Sequence, residues 1–558
     1  MDSFFEVGSF VRIPLGLMNL FGIVATVGSS PISGKLDTDI YPHGQRWLEV
    51  QLIGESFGRG QFQRGISIFP TIDDEVHLVT EQDLKAIYGN EEPTSVNIGS
   101  LAASESLHAT IDLDKLISRH GAIVGSTGSG KSNAVAAFLK TITSNLYPGA
   151  QVVLIDTHSE YSSALKDKAK IFSIDDTNSP LTIPYWALAY SEFAWVLFDR
   201  RTANDSPQDI YFRDLIFQEK KVNCASLTQE TVNSELITAD SPIPFSLSKI
   251  WYELYTKEYA TLEEKGNWDK LAFKTNDNGE KITGDKETYT PPQFKPAGQG
   301  SSSPFHGGES RNLQGYLNKI QTKVRDKRLS FLFQDRTYDG KEKDLHDLIK
   351  SWINHEERIT VLDLGGVPSE IIDIVVGAIT RILFEVMFWG RNLEGIGRQR
   401  PILMIYEEAH SYLPRSGSND LVSGYASRTV RRVFKEGRKY GIGAIVVSQR
   451  PSDLDETILS QCGTFFALRL SNSEDQSRIR SAISDELSGL VDLLPALRTG
   501  EAIVVGEAIK IPSRVRLPLI EPRPNSSDPE ISVEWKKNKV NDMPLSTAIT
   551  NWRHQKLI

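Results

Sequence analysis

The sequence predicts an α/β nucleotide-binding core, preceded by a small all-β domain and interrupted by a helical insertion. Three observations carry that prediction. Gly125 to Ser132 satisfies G-x-x-x-x-G-K-[ST] between an apolar run and a segment of good helix formers. Short apolar runs alternate with helix-length segments on either side of the middle third, the pattern of parallel βα units. Within that middle third, strand patterns become rare and helical ones common.

At 558 residues the chain is too long for one core. A content of 39% hydrophobic and 24% charged residues is ordinary for a soluble globular protein. Two cysteines, Cys224 and Cys462, make neither a disulfide framework nor a metal cluster. The amino terminus lacks the basic segment of a secretory signal. The most apolar long stretch, Ile371 to Gly390, contains Asp373, Arg381 and Glu385, so a core helix is expected there rather than a membrane span. Cytoplasm is the expected location, with no membrane partner. The net charge of −10 argues against a monomer that coats DNA over its whole surface. It argues less against a ring, where only the channel needs positive potential.

Residues 1–112 read as short strands: Phe10 to Pro14, Leu20 to Val27, Trp47 to Ile53, Arg64 to Phe69, Glu75 to Val79 and Ser95 to Gly99. Glycine, proline and Asn/Asp turns separate them, which predicts a small β-barrel or sandwich. Residues 113–184 form the first part of the core, with strands at Ala122 to Val124 and Gln151 to Asp156. Residues 185–350 form the helical insertion, with helices expected at Glu192 to Arg200, Asp209 to Lys220, Leu247 to Tyr259 and Arg311 to Asp335. A polar stretch at 263–308 is expected to be a flexible loop. Residues 351–520 complete the core, with strands at Arg358 to Asp363, Pro401 to Tyr406, Gly443 to Ser448, Thr464 to Arg469, Glu501 to Gly506 and Arg514 to Pro518. Residues 521–558 read as a polar carboxyl-terminal arm that docks elsewhere.

The glycine loop is where chemistry begins. Gly125, Gly128, Ser129, Gly130 and Asn133 are expected to cradle phosphates with backbone N–H groups at the start of a helix. Lys131 reaches the β- and γ-phosphates of ATP, and the Ser132 hydroxyl ligates Mg2+. Glu407 and Glu408 end an apolar strand, where an open α/β sheet places its ligand. Glu407 suits Mg2+ through a bound water, and Glu408 suits the base or orienter of the attacking water. Gln449 ends another strand, and its neutral amide suits a sensor of the γ-phosphate. Asp156 and Glu160 line the nucleotide or nucleic-acid side of the sheet, or else cap a turn. His410 reads as a hydrogen-bonded structural histidine, since no second histidine follows at helical spacing.

Two basic runs have open assignments. Arg428, Arg431, Arg432, Lys435 and Arg438 share one side of a helix, as a solvated face or as a source of a guanidinium for a neighbouring subunit's γ-phosphate. Arg119, before the glycine loop, is a second interface or nucleotide-binding candidate. Arg311, Lys319, Lys323, Arg325, Lys327 and Arg328 face either DNA or solvent.

Taken together, Gly125 to Ser132, Leu154 to Tyr161, Val361 to Pro368, Ile405 to His410 and Arg431 to Pro451 resemble the HerA family, in the HerA/FtsK branch of P-loop ATPases. The resemblance covers nearly the whole chain. It implies a RecA-like core, an amino-terminal HAS barrel and an inserted helical bundle. It further implies a homo-hexamer that drives duplex DNA through a central channel, with a partner nuclease or Sir2-like effector. Lys131, Ser132, Glu407, Glu408 and Gln449 take the phosphate, Mg2+, Walker B and sensor roles on this reading, with Arg432 or Arg438 acting in trans. Glu407 stands where many P-loop ATPases have Asp. Repair of DNA ends and antiphage defence are both pathways the resemblance allows, and the insertion and acidic balance lean toward defence. A ring scaffold that activates an effector without moving along DNA is the alternative.

Overall fold

A computed structural model describes residues 6–30, 45–58, 62–88, 94–102, 104–144, 146–199, 206–227, 232–299, 302–307, 312–334, 337–415, 424–483, 488–525, 530–537 and 544–554. The chain divides into two compact units. The first comprises Met1–Phe172, Ile353–Gly365 and Leu383–Asn538, and the second Ser173–Trp352, Gly366–Ile382 and Lys539–Ile558.

An eleven-stranded sheet organises the first unit. Its strands run Ala169–Phe172, Ile359–Asp363, Val152–Asp156, Ile402–Tyr406, Ile442–Ser448, Gly121–Val124, Thr464–Ala467, Glu501–Gly506, Ser513–Arg516, Ser95–Leu101, Ser104–Asp112 across the sheet. Pairing is parallel from Ala169–Phe172 through Thr464–Ala467 and antiparallel beyond. The parallel strands are short, rich in Val and Ile, and almost wholly buried, as strands covered on both faces must be. Their carboxyl ends therefore share one edge of the sheet, and Glu407, Gln449 and the glycine loop all follow such ends.

The order places Ile442–Ser448 between the glycine-loop strand and the Glu407 strand. With that strand between them, the phosphate loop and the carboxylates stand two strand spacings, about 10 Å, apart, which leaves room for a ligand between them. On the far side of the loop helix, Lys131–Ile142, the Arg358 guanidinium closes the carboxyl end by donating to Thr143 O and Ser144 O at 3.0 Å each. Those are carbonyls that a helix leaves unpaired, and a cation is favoured there.

The expected domain boundary shifts. Ser95–Leu101 does not close an amino-terminal barrel; it joins Ser104–Asp112 and Ser513–Arg516 in the large sheet. The amino-terminal strands form a separate five-stranded antiparallel sheet, in the order Gln63–Arg64, Gln45–Phe57, Met18–Ser30, Phe10–Leu15, His77–Leu78. No pairing joins its two edge strands among the described residues. The strand expected at Arg64 to Phe69 shrinks to Gln63–Arg64, and Ile68 and Phe69 are exposed.

The second unit is rich in helices: Tyr190–Phe198, Pro207–Asn223, Leu247–Tyr259 and Gln314–Arg325. Ser206 and Ser246 accept N–H bonds at the starts of two of them. Phe193, Phe198, Phe212, Phe245 and Tyr316 pack ring against ring at its centre. Arg200, Arg311 and Asp335, expected at helix ends, lie outside the described residues.

The flexible loop expected at 263–308 is a correction. Its described residues are tied by bridges Leu262 to Leu271, Phe273 to Phe294, Thr275 to Lys281 and Asp285 to Thr290. Tyr252 donates its hydroxyl to Thr283 O at 2.6 Å, and the Lys257 amine lies 3.6 Å from the Trp268 ring centre. Polar composition concealed a scaffold built on a few dispersed aromatic residues.

Close approach also defines the sheet's cover. A Cβ on Gly443 would stand 2.4 Å from Ile117 Cγ2 and 2.7 Å from Ile117 O, on the helix Leu113–Arg119. Gly443→Val is therefore expected to destabilise the protein by about 1–3 kcal/mol, as overpacking does, read as a lower unfolding midpoint. An unchanged midpoint would show that this helix is not held tightly against the strand.

Candidate nucleotide site

The glycine loop turns from the Gly121–Val124 strand into the helix Lys131–Ile142. Gly128 and Gly130 adopt φ values of +71° and +101°, which only glycine takes without strain. The loop is fastened from neighbouring strands. Gly125 N donates to Ser448 O at 3.2 Å, Ser126 N to Arg469 O at 2.8 Å, and Gly500 N to Ser129 O at 3.0 Å. Thr127 Oγ1 donates to Gln449 Oε1 at 2.6 Å. Lys131 is buried and donates weakly to Ser126 O at 3.4 Å. Asn133 turns away from the loop: its amide donates to Pro518 O at 2.9 Å and accepts Ile520 N at 3.1 Å.

The two carboxylates differ in environment. Glu407 is 0% exposed, and neither of its carboxylate oxygens has a well-formed hydrogen bond among the described residues. The buried Tyr161 lies beside it, and Tyr412 donates its hydroxyl to the Glu407 main-chain carbonyl at 2.8 Å. Burial, with Glu408 and Glu160 nearby, holds the Glu407 carboxyl well above the ordinary range. Glu408 sits at φ 46°, a left-handed backbone unusual for a side chain of this length. Burial raises Glu408 too, while the nearby Lys131, His158 and Gln449 pull it back. Gln449 thus bonds Thr127 of the glycine loop and lies near enough to Glu408 to lower its carboxyl.

Two further residues complete this edge. Glu160 Oε2 accepts the Ser132 hydroxyl at 2.6 Å. Asp156 is buried and accepts His158 N at 3.1 Å and Tyr161 N at 3.0 Å, so it caps the turn that presents Glu160. Burial lifts its carboxyl to about 6, against the backbone bonds from Tyr161, His158 and Glu160 that hold it down. His410 Nδ1 lies 3.3 Å from Ser448 Oγ and 3.1 Å from Glu408 Oε2. Burial lowers its pKa to about 4, so it is neutral, in the structural role expected of it.

The arginines separate clearly. Arg431 is held by Asp455, which also caps the next helix, so its charge is spent on packing rather than on the site. Arg432 donates to Glu385 Oε1 at 2.8 Å and lies 4.2 Å from the Phe384 ring centre. Arg438 is exposed and makes no ion pair among the described residues. Arg119 precedes the glycine-loop strand and lies 3.5 Å from Glu507. Four strand residues, about 13 Å at the usual rise, separate it from the loop at the strand's other end, so it does not contact this protomer's phosphate cradle. In the second basic run, Lys319 donates to Phe198 O, Lys323 pairs with Asp199, and Arg328 pairs with Asp326. Those charges fasten helices in the second unit.

The donor set fits Mg2+. Among the described residues no cluster of His, Cys, Asp and Glu holds an ion by itself. Mg2+ is ordinarily bound by one or two carboxylates together with substrate phosphates and water. Glu407, a buried carboxylate with no well-formed bond to either oxygen, and the Ser132 hydroxyl, each close to Glu160, answer that need. Sequence reasoning missed Thr127, His158, Tyr161, Tyr412 and Arg469. Their contacts join distant segments, and only the P-loop register hinted at any of them.

Glu407 makes the ligand-free protein pH-sensitive. Its folded pKa is raised, so the folded state binds the proton more tightly than the unfolded chain, whose carboxyl titrates near 4.5. Stability is then lost as pH rises from about 4.5 through the folded pKa. Glu407→Gln removes that loss. Without Mg2+ or nucleotide, the variant is expected to melt above the wild type at pH 8, with the gap closing toward pH 4.5. A gap independent of pH would contradict the assignment.

Comparison with known proteins identifies the family. The family model described as helicase HerA, central domain, matches residues 96–383, starting within the first antiparallel strand that joins the large sheet. A DNA double-strand break repair helicase HerA of Sulfolobus acidocaldarius is 27% identical over 486 residues, covering 87% of this chain and 80% of that protein. Its counterpart in Saccharolobus solfataricus is 28% identical over 462 residues, covering 82% and 75%. Among solved structures, VirB4 of Thermoanaerobacter pseudethanolicus aligns over 77% of this chain and 98% of its own with a TM-score of 0.46 at 12% identity. The plasmid coupling protein TrwB with a non-hydrolysable ATP analogue aligns over 80% and 94% with a TM-score of 0.44 at 13% identity. With its phosphate loop, carboxylate pair and matching central domain, this chain belongs to the HerA family and is an ATPase of the helicase type.

Proposed function

We propose that the protein couples ATP hydrolysis to movement along duplex DNA, as a homo-hexameric ring. The convergence of the glycine loop, Gln449 and Glu408 at one sheet edge carries this reading: Gln449 accepts a bond from Thr127 of the loop at 2.6 Å and lies near enough to Glu408 to lower its carboxyl. Lys131 takes charge from the β- and γ-phosphates of ATP. Ser132 and Glu407 would hold Mg2+, which when bound neutralises charge between those phosphates. Glu408 accepts the proton of the attacking water as its oxygen bonds to the γ-phosphorus, and ADP leaves with the electron pair of the broken bond. Gln449 holds that water without competing for its proton.

Arg438 is our choice for the group acting on a neighbouring subunit's nucleotide. Arg432 is committed to Glu385 and to two aromatic rings, whereas Arg438 is exposed. The amino-terminal sheet as a barrel, the second unit as the family's helical bundle, and a cytoplasmic location belong to the same proposal. So does a nuclease partner. DNA end processing is the pathway that the relatives' names favour over antiphage defence with a Sir2-like effector.

The test is ATP turnover with and without duplex DNA, for wild type and Glu408→Gln. Duplex DNA is expected to raise wild-type turnover. The variant is expected to bind ATP but turn over about 10²–10⁴-fold more slowly, the usual contribution of a general base. Wild-type turnover in the variant would remove Glu408 from the chemistry. Turnover indifferent to DNA would leave an ATPase that does not move along it.

A further inference from the structure

We propose that Glu160 is a positioning residue for the Mg2+ site: it orients the Ser132 hydroxyl toward the cation, a task the Walker B carboxylate Glu407 does not perform in this protein. The inference deepens the reading of the glycine loop as an Mg2+–ATP site and rests on it.

A hydroxyl carries one hydrogen and two lone pairs. It ligates a cation only with its hydrogen directed elsewhere. In this structure that hydrogen goes to Glu160 Oε2, at 2.6 Å. A hydroxyl bond this short to a carboxyl oxygen is among the stronger kinds. With the hydrogen committed, the lone pairs of Ser132 are free to face a phosphate-bound cation. Glu407 makes no bond to Ser132, and both of its carboxylate oxygens are without a well-formed partner. The two acids thus divide the work: Glu160 aims the serine, and Glu407 supplies buried charge.

Glu160 is aimed by a built loop. Asp156 accepts His158 N and Tyr161 N from either side of it. Ser159 takes φ 57° and donates its hydroxyl to Asp363 Oδ1 at 2.7 Å. The Glu160 main-chain carbonyl accepts Asn525 N at 2.8 Å. The segment that supplies Asn525 also binds Asn133, the residue after Ser132, through Pro518 O and Ile520 N. One length of chain, 518–525, therefore fastens both the serine's helix and the glutamate's turn.

The experiment follows binding of a fluorescent ATP analogue to the full-length protein as Mg2+ is titrated, so that no turnover is needed. Glu160→Ala is expected to raise the Mg2+ concentration for half-maximal binding by about 10- to 100-fold, the usual cost of losing a residue that orients a metal ligand. Binding without Mg2+ is expected to stay unchanged. Glu160→Gln, whose amide oxygen still accepts, should recover most of the loss. In a Ser132→Ala background either substitution should have little further effect, because the hydroxyl it acts on is gone. Should Glu160→Ala fail to fold, a smaller shift in Glu160→Gln that vanishes in the Ser132→Ala background carries the same conclusion. An unchanged Mg2+ dependence, or effects of the two sites that simply add, would overturn the proposal. A wild type with no Mg2+-dependent binding would instead overturn the reading of the glycine loop.

Discussion

Glu407 is a carboxylate with no exposed surface and no well-formed partner for either oxygen. Leaving an ionised group in that state costs several kcal/mol in a protein interior. Without a ligand the carboxyl therefore holds its proton more tightly than a free one, at the end of a fully buried strand. Around it the chain gathers Glu160, Glu408, Tyr161 and Tyr412, none of which can neutralise it. A divalent cation can. The parallel sheet makes this arrangement possible, since aligned strand ends bring three separate segments to one edge.

That constraint explains how the neighbouring groups are spent. Lys131 is near enough to Glu408 to lower its pKa, so the cation meant for phosphate also steadies the base. His410, neutral through burial, adds no competing charge. Gln449 reaches the glycine loop and Glu408 at once. Arg431, which shares a helix face with Arg432, is kept from the site by Asp455. In each case a polar group is fixed by a bond to something other than the ligand, which is what preorganisation requires.

Much of this was legible in the residues. The glycine loop and the Glu407–Glu408 pair each carry local rules: a turn that needs glycine, and acids placed just after an apolar run. The parallel strands were legible because burial on both faces selects Val and Ile. What stayed hidden depends on distant pairing. Ser95–Leu101 reads like the strands before it, yet it pairs with Ser513–Arg516, some four hundred residues away. Residues 263–308 look featureless because Trp268, Phe273 and Phe294 are diluted by polar neighbours. Asp156 and Glu160 were weighed as one acidic pair, but backbone bonds turn one into a cap and leave the other facing Ser132. No spacing rule separates those roles.

In the proposed mechanism, the buried carboxylate and the P-loop serine together await a cation that arrives with nucleotide. Mn2+ bound in place of Mg2+ reports this directly through its electron paramagnetic resonance signal. Tight Mn2+ binding is expected only when ATP or a slowly hydrolysed analogue is present, with phosphorus coupling in the spectrum, and Ser132→Ala is expected to weaken it. Equally tight Mn2+ binding without nucleotide, or bound Mn2+ with no phosphorus coupling, would contradict it.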